Sequence, residues 1–322
     1  MQQNAPLVAI VTPVYNGAEF LRETCQSVQA QTYTNLVHFV LDNASTDATP
    51  DIINEFRGQR IPVVSVRNDT LLPLCNNWNR SVELGARGAE YFRILCADDS
   101  MPPESIEKMM QVARRDPDIL LVGSHCQSSI GVCHFGWQEE RDIFPSREAL
   151  QMYLQGNVGL APTHLLWKTS VLSLRDHLFD CSTVTCDTEA VLFVLSQENA
   201  KFGFVDDFLG FVRWYDESVS GTITNRLHID FFEWALYLNK YSRFAMSEAL
   251  SAHTVRRYWR HYLGRFLVWR FRHRNRDAVN WHRNALATAH LSPTFADFAD
   301  AVIDFALRKL KVRPTWRRHP QG

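Results

Sequence analysis

Nowhere in the 322 residues does an apolar run reach the roughly 18 positions a membrane-crossing helix needs. The first residues, MQQNAPLVAIV, carry no basic segment ahead of a long apolar stretch, so neither a signal peptide nor a membrane span is expected, and the default compartment is the cytoplasm. Cysteine is sparse and odd in number. The seven residues, Cys25, Cys75, Cys96, Cys126, Cys133, Cys181 and Cys186, include no Cys-x-x-Cys pair, which argues for reduced thiols and against a zinc site or a disulfide framework. Internal repeats and low-complexity linkers are also missing. Net charge is nearly absent, at −1, but this hides an asymmetry. Residues 252–322 hold 15 Arg or Lys against 4 Asp, leaving 19 basic and 31 acidic residues for the rest of the chain.

With 46% hydrophobic and 21% charged residues, the chain can bury a large core, as one domain or as one domain with a smaller appendage. The first hundred residues alternate between two hydrophobic periods. LVAIV reads as a strand, EFLRETCQSVQAQ as an amphipathic helix and LVHFVL as a second strand. TPDIINEF follows as a helix capped by Thr49 with Pro50 in the first position. Then come PVVSV, a helix over CNNWNRSVELGA and the strand YFRIL. This order predicts an α/β fold with a mostly parallel, doubly wound sheet and helices on both faces, in which ligands bind beyond the carboxyl ends of the strands. A helix PESIEKMMQVARR, a strand ILLVG, a less regular portion, a helix DTEAVLFVLSQE and the strand KFGFVDDFLGFVRW continue it. From about residue 226 the pattern is all helical.

Three polar segments follow strands at their carboxyl ends: VTPVYNG, LDNASTD and CADDSMP. In the last, Asp98 and Asp99 are adjacent carboxylates, able to offer oxygen ligands to a hard divalent cation or simply to form a polar turn. In the second, Asp42 follows directly on FVL and could accept a hydrogen bond from a ligand N–H, while Ser45 and Asp47 suit local backbone groups. Further on, Asp187 opens a helix, where an acid also favours the first turn.

Taken together, TPVYNG, LDNASTD and CADD resemble the family 2 glycosyltransferases, inverting enzymes of the GT-A fold, over approximately residues 5–220. The resemblance implies a GT-A domain over residues 1–225, with a nucleotide-sugar half to about 100 and an acceptor half to 225; the helical pattern and the charge count leave residues 226–322 as a basic, aromatic-rich helical region. The resemblance also implies that Thr12, Pro13 and Tyr15 wall a nucleobase pocket, that Asp42 bonds the base and that Asn79 borders the nucleotide. Asp98 would lie near the ribose, Asp99 would hold Mn²⁺ or Mg²⁺ on the diphosphate, and Asp187 would be the catalytic base. Arg213 would reach the diphosphate or a loop over it; Asn157 and His164 fall on the acceptor side, His164 more in a structural role. Relatives carry acids where this chain has Cys96 and Cys186, and often a histidine where it has Tyr215. The function implied is transfer from a nucleoside diphosphate sugar, a UDP-sugar first, to a cell-surface glycan or its lipid-linked precursor. The alternative is a non-catalytic nucleotide-sugar-binding or assembly subunit. A nucleotidyltransferase would want a Gly-rich basic loop after the first strand, which TPVYNGAEFL lacks.

The basic tail interleaves Arg256, Arg257, Arg260, Arg265, Arg270, Arg272, Arg274 and Arg276 with Tyr258, Trp259, Tyr262, Phe266, Trp269 and Phe271. Such a segment suits an anionic membrane on the inner face of the cell, or a helical subdomain that packs its aromatic face; nucleic acid is a weaker expectation.

Overall fold

The structure, a computed structural model, describes residues 5–129, 131–132, 136–137, 140–215 and 226–310. The chain begins with β1 (Val8–Val14), α1 (Leu21–Gln29), β2 (Leu36–Asp42), α2 (Thr49–Glu55), β3 (Val63–Arg67), α3 (Leu74–Gly85) and β4 (Tyr91–Ile94). Next come α4 (Ser105–Ala113), β5 (Ile119–Ser128), β6 (Gly131–Val132), β7 (Ile143–Pro145), α5 (Ser146–Leu154), β8 (Leu166–Lys168), α6 (Cys186–Leu195) and β9 (Lys201–Val212). One sheet takes them in the order β3-β2-β1-β4-β8-β5-β9-β7, with β6 on β5. Strands β1 to β5 and β9 share a direction that β6, β7 and β8 oppose. The expected α/β architecture is therefore present. From β1 the chain winds outward through β2 and β3, then returns to β4 on the other side, so the strand order reverses between β1 and β4. A crevice for a ligand opens at such a point.

Sequence alone ends the first strand before Thr12, but β1 runs on to Val14. Its pairing with β4 stops at Val11, whose carbonyl accepts from Leu95 N–H. Backbone groups alternate sides along a strand, so the nitrogen of Pro13 faces the same side as Val11, past the end of β4. No ladder bond is lost there, which is why the proline is tolerated in a central strand.

The period of two sorts the core. Val8, Ile10 and Val14 pack toward α1, α2 and α4 with Val28, Ile52, Ile53 and Met109. On the opposite face Val11 and Phe39 lie under α3 at Gly85, where a Cβ would stand 2.7 Å from Phe39 and 2.9 Å from Val11. Each such fully buried side chain contributes about 1.5–3 kcal/mol. The start of α2 departs from expectation. Ala48 holds the cap position, and Thr49 Oγ1 instead accepts the Gly17 N–H at 2.9 Å.

Backbone contacts divide the chain into two compact units. The first comprises the residues up to Leu150, Val158–Ser182 and Cys186–Arg213; the second comprises Gln151–Asn157, Thr183–Thr185 and the residues from Trp214 onward. In the second unit α7 (Ile229–Ala245), α8 (Glu248–Leu267), α9 (Arg276–Thr288) and α10 (Phe295–Lys309) are helical, with a π-helical turn over Val268–Arg272. The rings of Tyr258, Tyr262 and Trp269 are buried, Trp269 being stacked between His228 and His282 with centroids 4.6 and 4.7 Å away. Burial pushes His282 down to about 4, so the imidazole stays neutral as it joins Tyr262 Oη and the Leu227 carbonyl. Those aromatic residues are thus core, and are not available to a membrane surface. Among the described residues no helix is long and apolar enough to cross a membrane.

Candidate active site

Beyond β4 the chain leaves the sheet through Leu95, Cys96, Ala97, Asp98 and Asp99. Thr24 on α1 places its Oγ1 2.9 Å from the Ala97 carbonyl and 2.8 Å from that of Asp99, fixing the turn. The Asp99 carboxylate is buried. Its Oδ1 accepts the backbone N–H of Arg213 at 3.0 Å, and its Oδ2 lies 3.2 Å from His164 Nε2. His164 Nδ1 in turn lies 2.9 Å from an amino group of Arg93. A guanidinium can only donate, so Nδ1 accepts, the hydrogen sits on Nε2, and the neutral ring donates to Asp99. Burial lowers the His164 pKa in agreement with that tautomer. Arg93 is fully buried and pushed down to about 10, still a cation at neutral pH, and it also donates to the Leu209 carbonyl at 2.9 Å. Gly210 makes the arrangement possible, since a Cβ there would stand 2.3 Å from His164 Nδ1.

Ligand atoms of Cys96, Asp98 and Asp99 lie within 4.8 Å of one another. Burial raises the Cys96 pKa well above its ordinary value, and the charges of Asp99, Asp98 and Asp187 raise it further. The sulfur is therefore a neutral thiol. Asp187 lies in the first turn of α6, with Oδ1 accepting Thr188 N–H at 2.7 Å, and its charge reaches Cys96. Arg213 closes the turn. Its Nε donates to the Asp98 carbonyl at 3.1 Å, its terminal nitrogen pairs with Glu23 at 2.7 Å, and the group sits 4.5 Å above the Phe20 ring. The side chain expected at a diphosphate is thus engaged with Asp98, Glu23 and Phe20.

At the end of β2, Asp42 is buried; its Oδ1 accepts Ser45 N–H at 2.9 Å and its Oδ2 pairs with Arg67. Arg67 also donates to the Ser45 carbonyl at 2.7 Å. The neighbouring loops are stapled by side chains: Asn16 N–H donates to Ser45 Oγ at 2.9 Å and Ala18 N–H to Asp47 Oδ2 at 3.0 Å. The three residues expected to wall one pocket diverge. Thr12 is fully buried on one sheet face, bonded to His38 Nε2 at 3.0 Å. Pro13 packs on the other face beside Trp78, Val82 and Ile94. Only Tyr15 stands exposed at the strand end.

Asn79 has a different partner from the one expected. Its amide donates to the Phe179 carbonyl at 2.9 Å and accepts Phe179 N–H at 2.8 Å, which uses both ends. Beside it Cys75 and Cys181 form a disulfide, with Cα atoms 5.4 Å apart, correcting the expectation of reduced thiols throughout. Arg175 joins the buried Glu189 at 2.7 Å on α6. The segment leading to Asp187 is thereby tied at Arg175, Phe179 and Cys181. Asn157, in the second unit, is exposed and bonded to Gln155 at 3.1 Å. Sequence reading missed Arg67, Arg93 and Glu23. A charge within YFRIL was the signal for Arg93, because a guanidinium inside an apolar strand requires buried partners.

Residues 9–174, a stretch containing Asp42, Asp98, Asp99 and His164, match the family described as Glycosyl transferase family 2. The chain belongs to that family. Two curated members resemble this family 2 chain in sequence. An uncharacterized glycosyltransferase of Haemophilus influenzae is 32% identical over 127 residues, covering 39% of this chain and 38% of its own. Glycosyltransferase GlyG of Streptococcus pneumoniae is 30% identical over 118 residues, covering 36% and 38%. The match therefore spans little more than a third of those relatives. Among solved structures, S. aureus TarS 1–349 in complex with UDP-GlcNAc superposes with a TM-score of 0.59 at 13% identity, covering 94% of this chain and 81% of that one. The mannosyltransferase PcManGT from Pyrobaculum calidifontis, in complex with GDP-Man and Mn²⁺, gives 0.54 at 15% identity, covering 98% and 83%. Identities this low show a shared fold.

Proposed function

We propose that this family 2 protein is an inverting, metal-dependent glycosyltransferase. It takes a sugar from a UDP-sugar and joins it to a hydroxyl of a cell-surface glycan or its lipid-linked precursor. The observation that carries the reading is the grouping of the Asp98 and Asp99 carboxylates with Cys96 at the end of β4, beside the reversal of strand order; the charge of Asp187, which also acts on Cys96, supports its part in it. In this reading residues 1–100 form the nucleotide half and 101–225 the acceptor half. The UDP-GlcNAc complex of TarS supports the donor, and the Mn²⁺ complex of PcManGT supports the cation.

The donor set fits a hard cation. Asp98 and Asp99 offer carboxylate oxygens, and Cys96, held as a thiol, does not compete as a thiolate. A bound Mn²⁺ or Mg²⁺ would neutralise charge on the departing diphosphate. Asp187 takes the proton of the acceptor hydroxyl as its oxygen forms the bond to the anomeric carbon and the bond from that carbon to the diphosphate breaks. Such a positioned base contributes about 10²–10⁴-fold. A thermal-shift and transfer assay with UDP-sugars and Mn²⁺ tests this. Asp187→Asn should cut transfer by at least about a hundredfold while leaving UDP affinity within a few-fold. Loss of UDP binding in that variant would remove Asp187 from the role of base.

A second reading, nucleotide-sugar binding without turnover, draws on Cys96 and Cys186, which stand where the family carries acids. UDP-induced stabilisation with no transfer to any acceptor would favour it.

A further inference from the structure

Within the second unit, α10 is turned inside out. It runs antiparallel to α8: Phe298 meets Phe266 with centroids 6.1 Å apart, Asp300 pairs with Arg260, and Arg308 lies 2.9 Å from His261 Nδ1. On this side α10 buries Ala301 and Asp304, the latter ion-paired with Arg308. The outer side is apolar and open to water. Phe295 is 90% exposed, Val302 53% and Ile303 56%, and Leu310 is exposed just past the last turn. With Ala299 and Ala306 they recur at the spacing of one helix face. An amphipathic helix ordinarily buries its apolar stripe and shows its acids, so among the described residues the reversal leaves an apolar face uncovered.

The charge around that face selects the occupant. The first turn of α10 lies by the end of α8, where the chain continues through Arg270, Phe271, Arg272 and Arg274, all exposed. Lys309 is exposed at the far end. Two of the three acids of α10 are paired with cations, Asp300 with Arg260 and Asp304 with Arg308; Asp297, in the capping box with Thr294, keeps its charge.

We propose that the outer face of α10 docks on an anionic lipid surface, with the helix in the plane of the interface. Phe295, Val302, Ile303 and Leu310 then reach the acyl boundary, and the basic residues meet the headgroups. A second copy of the chain on the same face would set two basic regions against each other across a two-fold axis, and their repulsion opposes it. The inference is independent of the catalytic reading.

Vesicle sedimentation of the full chain tests it, comparing phosphatidylcholine alone with phosphatidylcholine mixed with phosphatidylglycerol, each at low and high salt. Binding is expected on the mixed vesicles and should weaken with salt. Val302→Glu with Ile303→Glu should reduce it about a hundredfold, roughly tenfold for each apolar side chain withdrawn from the interface. The melting temperature should hold, because both positions face water. Arg270→Glu with Arg272→Glu should weaken binding to the mixed vesicles only. The proposal is overturned if the wild type ignores the mixed vesicles or binds both kinds equally. It is also overturned if the Val302/Ile303 variant binds like the wild type, or if light scattering shows a dimer that this variant splits.

Discussion

At the carboxyl end of β4, Asp99 is held by a backbone N–H and by His164, whose own partner, Arg93, is fully buried. At the carboxyl end of β2, Asp42 is equally buried, yet its charged partner is Arg67, whose side chain is 49% exposed. The two strand ends lie on either side of β1 and carry the same residue type, but they differ in what could move. Around Asp99, any shift would strand a charge away from water, which costs several kcal/mol. The path toward Asp187 is tied as well, by the Asn79–Phe179 amide pair and the Cys75–Cys181 disulfide. Around Asp42, Arg67 can swing into solvent and be rehydrated. The proposed transfer would have use for both conditions: fixed acids where bonds change, and an exchangeable partner where a ligand must enter and leave.

The covalent tie offers the largest test of the rigid side. Cys75 and Cys181 are 106 residues apart, and closing a loop of about 100 residues stabilises by about 4–5 kcal/mol in the chain-entropy treatment. Cys75→Ser, or reduction of the wild type, should lower the denaturation free energy toward that extent, measured by urea unfolding with and without dithiothreitol. An unchanged midpoint would mean that this side does not depend on the bond. His164→Phe comes next. The ring volume is kept, but Arg93 and Asp99 each lose a buried hydrogen bond, so a loss of about 1–3 kcal/mol for each of the two groups is expected. A loss below about 1 kcal/mol, the scale of a surface pair, would show that water reaches this network and would erase its contrast with Asp42.

The difference between the two ends is only partly legible in the sequence. The parallel sheet is, because its strands are apolar on both faces and its helices carry a 3.6-residue stripe; the Asp98-Asp99 pair is visible too, but a polar turn has the same appearance. Arg93 announces a buried partner without naming it. Asn79 looks the same whether it meets a nucleotide or, as here, a backbone 100 residues away. Cysteine spacing likewise carries no trace of the Cys75–Cys181 pairing, which only the fold brings together. Within α9 the buried stripe includes His282, a polar residue that becomes core only through Tyr262 and the Leu227 carbonyl. In α10 the apolar residues recur at helical spacing, but the side they face depends on the pairing of Asp300 and Asp304.

The adaptable side gives the smallest and sharpest effect. Arg67→Ala removes a half-exposed guanidinium and leaves Asp42 with the Ser45 N–H at 2.9 Å, while water enters the space vacated. Stability should fall by only about 1 kcal/mol, the upper range for exposed pairs. Nucleotide affinity should move the other way. If Asp42 accepts a base N–H in place of Arg67, the wild type must first break the ion pair, and the variant is spared that step. Calorimetric titration with UDP should then show binding tightened by a few-fold, tenfold corresponding to about 1.4 kcal/mol. Binding weakened by tenfold or more would instead make Arg67 a direct nucleotide contact, and would move the exchangeable partner from the carboxylate to the arginine.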